Sequence, residues 1–303
     1  MIPYSTSRQY LHLLPIAPGE CLPSWLLRIS ARYCTNFRRF SATWLQDELR
    51  VTPGFDAFPA VSLLLKLGAI PSERLDYYIT HHTLVGTTKL FYTQEEWANL
   101  IKSHGKTGKR LHKHRQTTKQ TTWHLCPSCR AAEAGLGIVT WSRDHQMPGL
   151  RFCAKHREPL ILQTVTRIPP LFAPSESDLS PDMRSTVDET TGLQEDHLTL
   201  GRDIADVLTS GLVCRSASRP LRDAVAKTLF GRPWSGNDAV WRKLERRFGA
   251  RFLESIQIKN YHILQSLRGE FHPSFNGIVY LAALARASES SLPKLLSALD
   301  QEA

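Results

Sequence analysis

Apolar residues along the chain recur mostly at helical spacing, which predicts a mainly α-helical protein. The first clear example is the set Leu22, Leu26, Ile29 and Tyr33, which would line one face of a helix. Pro23 suits an early position in that helix, because the amide proton that proline lacks is not needed there. We expect this stripe to belong to the core of a helical N-terminal domain.

Further helices are predicted on both sides of the middle of the chain. Thr93 and Glu96 form a capping box that would open a helix, and Gly105 would end it. Four apolar stripes follow in the C-terminal part: Ile204/Val207/Leu208, Leu221/Val225/Leu229, Val240/Leu244/Phe248/Phe252, and Ile278 to Leu284. The short connections allow helix-turn-helix arrangements in both halves, although the helices of any small bundle share this pattern.

Two short motifs with metal-binding residues lie in the middle of the chain. Cys126 and Cys129 form a C-x-x-C, and Cys153 and His156 form a C-x-x-H. Each motif places two donors on one tight turn, which is typical of a structural zinc site closed by protein ligands alone. We predict that these four residues bind Zn²⁺, and that the metal stabilises a segment too short to build its own core.

Other interpretations of the cysteine pair fit less well. A thioredoxin-like redox pair would need alternating strands and helices around it, and it would leave the second motif unexplained. His156 and Glu158 spell the H-x-E of zinc deaminases, but there the H-x-E precedes the cysteine pair and water holds the fourth position. Cys153 would fill that position here, and a filled coordination sphere cannot activate water.

Composition narrows the class of protein further. A chain of 303 residues with 42% apolar residues suggests about two domains with ordinary cores. Six cysteines are too few for a disulfide scaffold, which favours a reducing cytoplasm. We expect neither membrane insertion nor a signal peptide, because the apolar runs are short and the N-terminus lacks that layout. The motifs of ATPases, metalloproteases and transposases are missing, so we predict no catalytic residues.

The distribution of charge suggests a division into domains. The net charge of +10 favours an anionic partner, with nucleic acid the usual choice. Residues 172–199 invert this balance with seven acidic residues and one basic residue, which predicts a solvated acidic linker. The other predicted units are an N-terminal helical domain at 1–120, a zinc-binding module at 121–171 and a C-terminal helical domain at 200–303.

Two basic segments are candidates for contact with nucleic acid. Residues 102–119 contain no acidic residue, and the predicted helix around 241–252 places its basic residues opposite its apolar stripe. The candidate side chains are Lys109, Arg110, Lys113 and Arg115 in the first segment and Arg242, Lys243, Arg246 and Arg247 in the second. The first segment could equally be a solvated connector, and the second could simply face water.

The residues around the predicted metal ligands resemble those of a known family. They spell C-P-S-C at 126–129, W-S-R-D-H-Q-M-P-G at 141–149 and F-C-A-K-H at 152–156. A second motif lies upstream and consists of Pro15, Pro18, Glu20, Leu22, Ser24, Trp25 and Arg28. Together, over about residues 14–160, these motifs resemble the TniQ/TnsD family of transposon target-selection proteins.

The resemblance implies a non-enzymatic adaptor that marks an insertion site and recruits an AAA+ ATPase, which then activates a separate transposase. In the CRISPR-associated branch, TniQ-like proteins dock, often as dimers, on an RNA-guided Cascade complex. TnsD-like proteins instead read attachment-site DNA with a long C-terminal region. The modest length here favours the first branch, so we predict an adaptor between a Cascade complex and an AAA+ ATPase. A protein that reads an attachment site directly is the alternative, and a zinc hydrolase is a distant third.

Overall fold

The computed structural model describes residues 14–33, 40, 70–107, 122–136, 140–147, 149–164, 194–210, 225, 227–229, 237–256 and 276–301. Over these residues the protein is mainly α-helical, as predicted. The α-helices of the described residues are α1 (Leu22–Arg32), α2 (Leu75–His82), α3 (Gln94–Thr107), α4 (Pro127–Gly135), α5 (Gln194–Ser210), α6 (Asn237–Phe248), α7 (Ala250–Ser255), α8 (Asn276–Ala287) and α9 (Leu292–Gln301). Two strands, β1 (Thr122–Leu125) and β2 (Ile161–Thr164), lie between α3 and α5.

Helix α1 forms as its apolar spacing predicts. Pro23 lies in the first turn, and the side chains of Leu22, Leu26 and Ile29 are buried. Tyr33 ends the helix, and its amide donates to the carbonyl of Ile29 at 3.2 Å. The apolar stripe is therefore buried, together with most of the other side chains of the helix.

The capping box at the start of α3 is confirmed. The amide of Thr93 donates to the Glu96 carboxylate at 2.8 Å, and the amide of Glu96 donates to the Thr93 hydroxyl at 3.1 Å. The predicted end at Gly105 is wrong, because the helix continues to Thr107. Glycine ends a helix when it adopts a left-handed conformation, but Gly105 lies inside a helix that continues for two more residues. A helical glycine is tolerated at a cost of about 1 kcal/mol relative to alanine.

A two-stranded antiparallel sheet closes the middle segment at its base. Strand β1 pairs with β2 so that Leu125 lies opposite Ile161. The sequence did not predict these strands, because four residues are too few to show the alternation of a strand. The pairing brings the two ends of the 126–160 segment together, and α4 begins directly after β1.

The predicted continuous helix through residues 240–252 is interrupted. Gly249 has φ of +80°, a conformation that favours glycine, and it separates α6 from α7. The apolar stripe nevertheless lies in the core on both sides of the break, because its four members are all buried: Val240, Leu244, Phe248 and Phe252. Helix α8 contributes a continuous buried surface to the same core, from Ile278 to Ala285.

The C-terminal helices and the middle segment share a single hydrophobic core. Gly149 in the middle segment approaches α7 so closely that a Cβ atom there would overlap the side chain of Ile256. Leu150 belongs to the same cluster of buried residues as Ile204 of α5. Helix α5 begins at Gln194, so the last six residues of the 172–199 stretch are helical. None of the helices in the described ranges has the length and apolar character needed to cross a membrane.

Candidate metal centre

The backbone places the predicted ligands on two turns that face each other. Cys126 follows β1 and caps α4, where its sulfur accepts a hydrogen bond from the amide of Cys129 at 3.2 Å. On the second turn, the sulfur of Cys153 accepts from the amide of His156 at 3.4 Å. Arg157 completes this turn in the left-handed conformation, with φ of 61°, and its amide donates to the Cys153 carbonyl at 2.8 Å.

The ligand atoms of these four residues lie at the distances that a tetrahedral metal site requires. Nδ1 of His156 is 3.3 Å from the sulfur of Cys126, 3.2 Å from that of Cys129 and 3.8 Å from that of Cys153. The sulfurs of Cys129 and Cys153 are 3.7 Å apart. A tetrahedral zinc with ordinary bond lengths gives sulfur–sulfur distances of about 3.8 Å and sulfur–nitrogen distances of about 3.5 Å. The donor set therefore fits zinc in type and in spacing.

A second imidazole, from His145, borders the same cluster. Its Nε2 atom is 3.8 Å from the sulfur of Cys129, and the ligand atoms of Cys126, Cys129, His145 and Cys153 all lie within 4.8 Å of one another. These four residues can bind a metal ion. In the sequence, His145 belongs to the W-S-R-D-H-Q-M-P-G motif and lies outside both short cysteine motifs. Its closeness to the sulfurs depends on the fold of the intervening segment.

Gln146 holds the short helix that carries His145. This 3₁₀ helix, Asp144–Gln146, is anchored to β1 because the Gln146 side chain accepts from the His124 amide at 2.9 Å and donates to the His124 carbonyl at 2.8 Å. The same amide group donates to the Ser142 carbonyl at 2.9 Å. The position of His145 is therefore fixed by buried hydrogen bonds of its neighbour.

Hydrogen bonds within the cluster favour negative charge on one of its sulfurs. Hydrogen bonds from the thiols of Cys126 and Cys129 hold the pKa of Cys153 far below its ordinary value. Burial alone would lower the pKa of His145, but hydrogen bonds with Cys129 and Cys153 outweigh it and raise that pKa to about 9. Hydrogen bonds with Cys129 and Cys153 in turn hold the pKa of Cys126 above its ordinary value, so the protons are shared unevenly among the sulfurs. Thiol and imidazole donors of this kind suit a soft divalent cation.

Glu158 serves as a helix cap in this structure. Its carboxylate accepts from the Ser128 amide at 2.7 Å and from the Ser128 hydroxyl at 2.9 Å, at the start of α4. The Cys126 thiol also donates to it at 2.7 Å. A carboxylate is favoured at the positive end of a helix, so Glu158 has a structural role that accounts for the H-x-E pattern.

The upstream motif surrounds a buried carboxylate. The Glu20 side chain accepts from the Ser24 hydroxyl at 2.9 Å and from two nitrogens of Arg28 at 2.8 and 2.6 Å. The amide of Ala17 donates to it at 3.0 Å. Trp25 binds the start of the same segment, because its indole nitrogen donates to the Leu14 carbonyl at 2.6 Å. These motif residues are therefore engaged in fixing α1 and the chain that precedes it.

The upstream motif is also bonded directly to the segment between the two cysteine turns. The amide of Cys21 donates to the Trp141 carbonyl at 2.8 Å, and the amide of Trp141 donates to the Ser24 hydroxyl at 3.1 Å. The amide of Arg143 donates to the Gly19 carbonyl at 2.8 Å. The two motifs of the sequence are thus one unit in space.

The structure describes only some of the residues that the sequence predicts to contact nucleic acid. Lys109, Arg110, Lys113 and Arg115 lie outside the described residues. Arg242, Lys243 and Arg246 are exposed on α6. Arg247 instead turns toward the protein.

Arg247 links α6 to two other helices. Its Nε donates to the Asp196 carboxylate of α5 at 2.8 Å, and another nitrogen donates to the Arg286 carbonyl of α8. Its charge is therefore used within the protein, and its side chain is only partly exposed.

The fold and the cysteine–histidine cluster define a helical protein built around a small metal-binding module. Residues 12–160 match the model of the TniQ family, which covers both motifs described above. Residues 12–160 therefore form a TniQ-family domain, and this domain indicates a transposition-associated target-selection protein. No match to a curated protein was found.

Proposed function

We propose that this protein is a non-catalytic adaptor that connects a target-recognition module to an AAA+ ATPase of the transposition machinery. The proposed recognition module is an RNA-guided Cascade complex, in which base pairing selects the sequence and the protein supplies the bridge. The observation that carries the proposal is the family match over residues 12–160, the region that contains the metal cluster and its bonded upstream motif.

Zn²⁺, in this proposal, is bound by Cys126, Cys129, Cys153 and His156. His156 is chosen over His145 because its Nδ1 atom lies 3.2–3.8 Å from all three sulfurs. Four protein ligands leave no open coordination position, so the metal would have a structural role. It would stabilise the loop between β1 and β2.

A metal assigned in this way would act on more than its own loop. The residues around it are bonded to α1, and they share a core with the C-terminal helices. Fixing the module would therefore fix the relative positions of surfaces that partners can contact. This rigidity is what an adaptor between two assemblies needs.

Contacts with DNA would come from the exposed basic residues of α6, Arg242, Lys243 and Arg246, and from the basic residues of 102–119. Such side chains bind phosphates without reading sequence. We expect the isolated protein to bind duplex DNA weakly and with strong salt dependence. Arg247 is left out of this surface because of its ion pair with Asp196.

Two binding experiments with the full chain test the adaptor role. The tagged protein is mixed with a Cascade complex and with an AAA+ transposition ATPase from the same source, and gel shifts are run with attachment-site and scrambled duplexes. We expect capture of both partners and similar, salt-sensitive binding of the two duplexes. Failure to capture either partner would refute the bridging role. Tight selection of one duplex without a partner would favour direct reading of an attachment site instead.

Elemental analysis of cysteine variants tests the metal. Cys153→Ser should lose the single equivalent of zinc and expose the module to proteolysis. Cys21→Ala is the matched control, because Cys21 is also a buried thiol but lies outside the cluster, and it should keep the metal. Full zinc occupancy in Cys153→Ser would contradict the ligand assignment.

A further inference from the structure

The three sulfurs of the cluster differ in the source of their hydrogen bonds. Cys126 accepts from the backbone amide of Cys129 at 3.2 Å, and Cys153 accepts from that of His156 at 3.4 Å. Both donors belong to the turns that carry the cysteines. The sulfur of Cys129 instead has the imidazole Nε2 of His145 at 3.8 Å, a distance within the range of hydrogen bonds to sulfur.

The positions of the two histidines suit different tasks. Nδ1 of His156 lies within 3.8 Å of all three sulfurs, so it occupies the fourth corner of the tetrahedron. The Nε2 atom of His145 lies 3.8 Å from the sulfur of Cys129 and within 4.8 Å of the other two sulfurs, beside the corner that His156 occupies. A tetrahedral structural zinc takes four ligands, so the second imidazole is left beside the coordination sphere.

We propose that His145 is an N–H donor to the Cys129 thiolate and a positioning residue of the metal centre, not a metal ligand. This inference rests on the zinc site proposed above. It gives each of the three sulfurs one N–H donor, two from the backbone and one from a side chain. Residues that support metal ligands in this way orient them and tune their charge.

The charge of the centre explains why this donor matters. Three thiolates and one neutral imidazole around Zn²⁺ carry a net charge of −1, in a place where Cys126 and Cys153 are only 1% exposed. Hydrogen bonds to sulfur spread that charge and stabilise it in a poorly solvated site. The bond from His145 would supply this stabilisation to Cys129, the sulfur that accepts no backbone hydrogen bond from the described residues.

Cys129 is also the sulfur most open to attack. It is partly exposed, whereas the other two cysteines of the cluster are buried. Thiolates react with electrophiles and oxidants according to their negative character and accessibility. A hydrogen bond from His145 withdraws electron density from this sulfur, so His145 would protect the metal site at its one accessible ligand among the described residues.

NMR of the wild-type zinc-loaded chain, labelled with ¹⁵N-histidine, tests the assignment directly. We expect a proton on Nε2 of His145, and we expect Nδ1 of His156 to lack a proton and to show the shift of a metal-bound nitrogen. A metal-bound Nε2 in His145 would overturn the proposal. This measurement needs no variant, so it holds even if substitution at 145 impairs folding.

Alkylation of Cys129 measures the consequence. His145→Ala should keep one equivalent of zinc, with affinity reduced by about 10- to 100-fold, and should be alkylated at Cys129 several-fold faster by iodoacetamide. His145→Gln retains an N–H donor and should restore slow alkylation. His81→Ala is the control, because His81 is exposed on α2 and should leave both measurements unchanged.

The outcomes separate this proposal from the metal site beneath it. If the wild-type chain holds no zinc, the proposed metal centre fails. If it holds zinc but His145→Ala and His145→Gln match the wild type in affinity and alkylation, only the role of His145 fails. Stoichiometric loss of zinc in His145→Ala, with retention in His156→Ala, would show that the two histidines have been exchanged.

Discussion

Asp203 joins three C-terminal helices, and its removal should weaken the whole C-terminal part. Its side chain on α5 is 6% exposed and accepts from two nitrogens of Arg286 on α8, at 2.7 and 2.5 Å. One of its oxygens also accepts from the amide of Leu292, the first residue of α9, at 3.1 Å. The substitution Asp203→Ala removes all three bonds together.

The expected loss follows from these contacts. Removing one partner of a buried ion pair costs about 3–5 kcal/mol, and removing a side-chain acceptor at a helix start costs about 1 kcal/mol. The Arg286 side chain keeps 23% of its exposure, so water would partly compensate for the lost carboxylate. We therefore expect Asp203→Ala to reduce the free energy of unfolding by about 3 kcal/mol.

Urea titration of the zinc-loaded chain, followed by circular dichroism, measures this loss. Asp203→Asn keeps an oxygen for the Leu292 amide and should lose less than Asp203→Ala. Asp206→Ala is the matched control, because Asp206 lies on the same helix but is exposed, and it should change stability by less than about 0.5 kcal/mol. Equal midpoints for Asp203→Ala and Asp206→Ala would show that the three contacts do not stabilise the fold.

Three further predictions concern the backbone and one buried histidine. Gly149→Ala should lower the free energy of unfolding by more than about 2 kcal/mol, because φ is +80° and the new Cβ would overlap Ile256; unchanged stability in urea would contradict this packing. Burial and then the nearby charge of Arg151 lower the pKa of His197 to about 4, whereas an unfolded histidine titrates near pH 6.5. The stability that neutral His197 contributes is therefore complete above pH 6.5, and it falls by about 1.4 kcal/mol per pH unit down to pH 4. In urea titrations between pH 7 and 5.5, the free energy of unfolding should depend less on pH for His197→Phe than for the wild type. Parallel pH profiles would refute this. Arg157→Gly should raise the free energy of unfolding by about 0.5–1 kcal/mol, because φ is 61° at this residue, and a lower melting temperature would count against it.

Features set by neighbours in sequence could be predicted. The stripe of α1 and the capping box of Thr93 and Glu96 depend on residues three or four positions apart, and both are present in the structure. The two cysteine turns also depend on local spacing. Their closeness to each other could be inferred because metal sites of this type are built from two such turns.

Features set by contacts through space could not be predicted. Strands β1 and β2 are four residues each and are defined by their pairing across the module. His145 approaches Cys129 only because Gln146 anchors the intervening segment to β1. The break at Gly249 was also missed, because the apolar stripe continues across it and suggested one helix.

The bonds between the two motifs explain how loss of the proposed metal would reach beyond its own loop. Trp141 lies between the cysteine turns in sequence, packs edge-on against Trp123 of β1 with ring centroids 4.9 Å apart, and bonds through its backbone to both Cys21 and Ser24. Ser24 in turn donates to the buried Glu20 carboxylate. If removal of zinc released the module, α1 would therefore lose these hydrogen-bond partners, on which its first turn depends. The partner-binding role proposed for this protein thus depends on the metal through α1 as well as through the module itself.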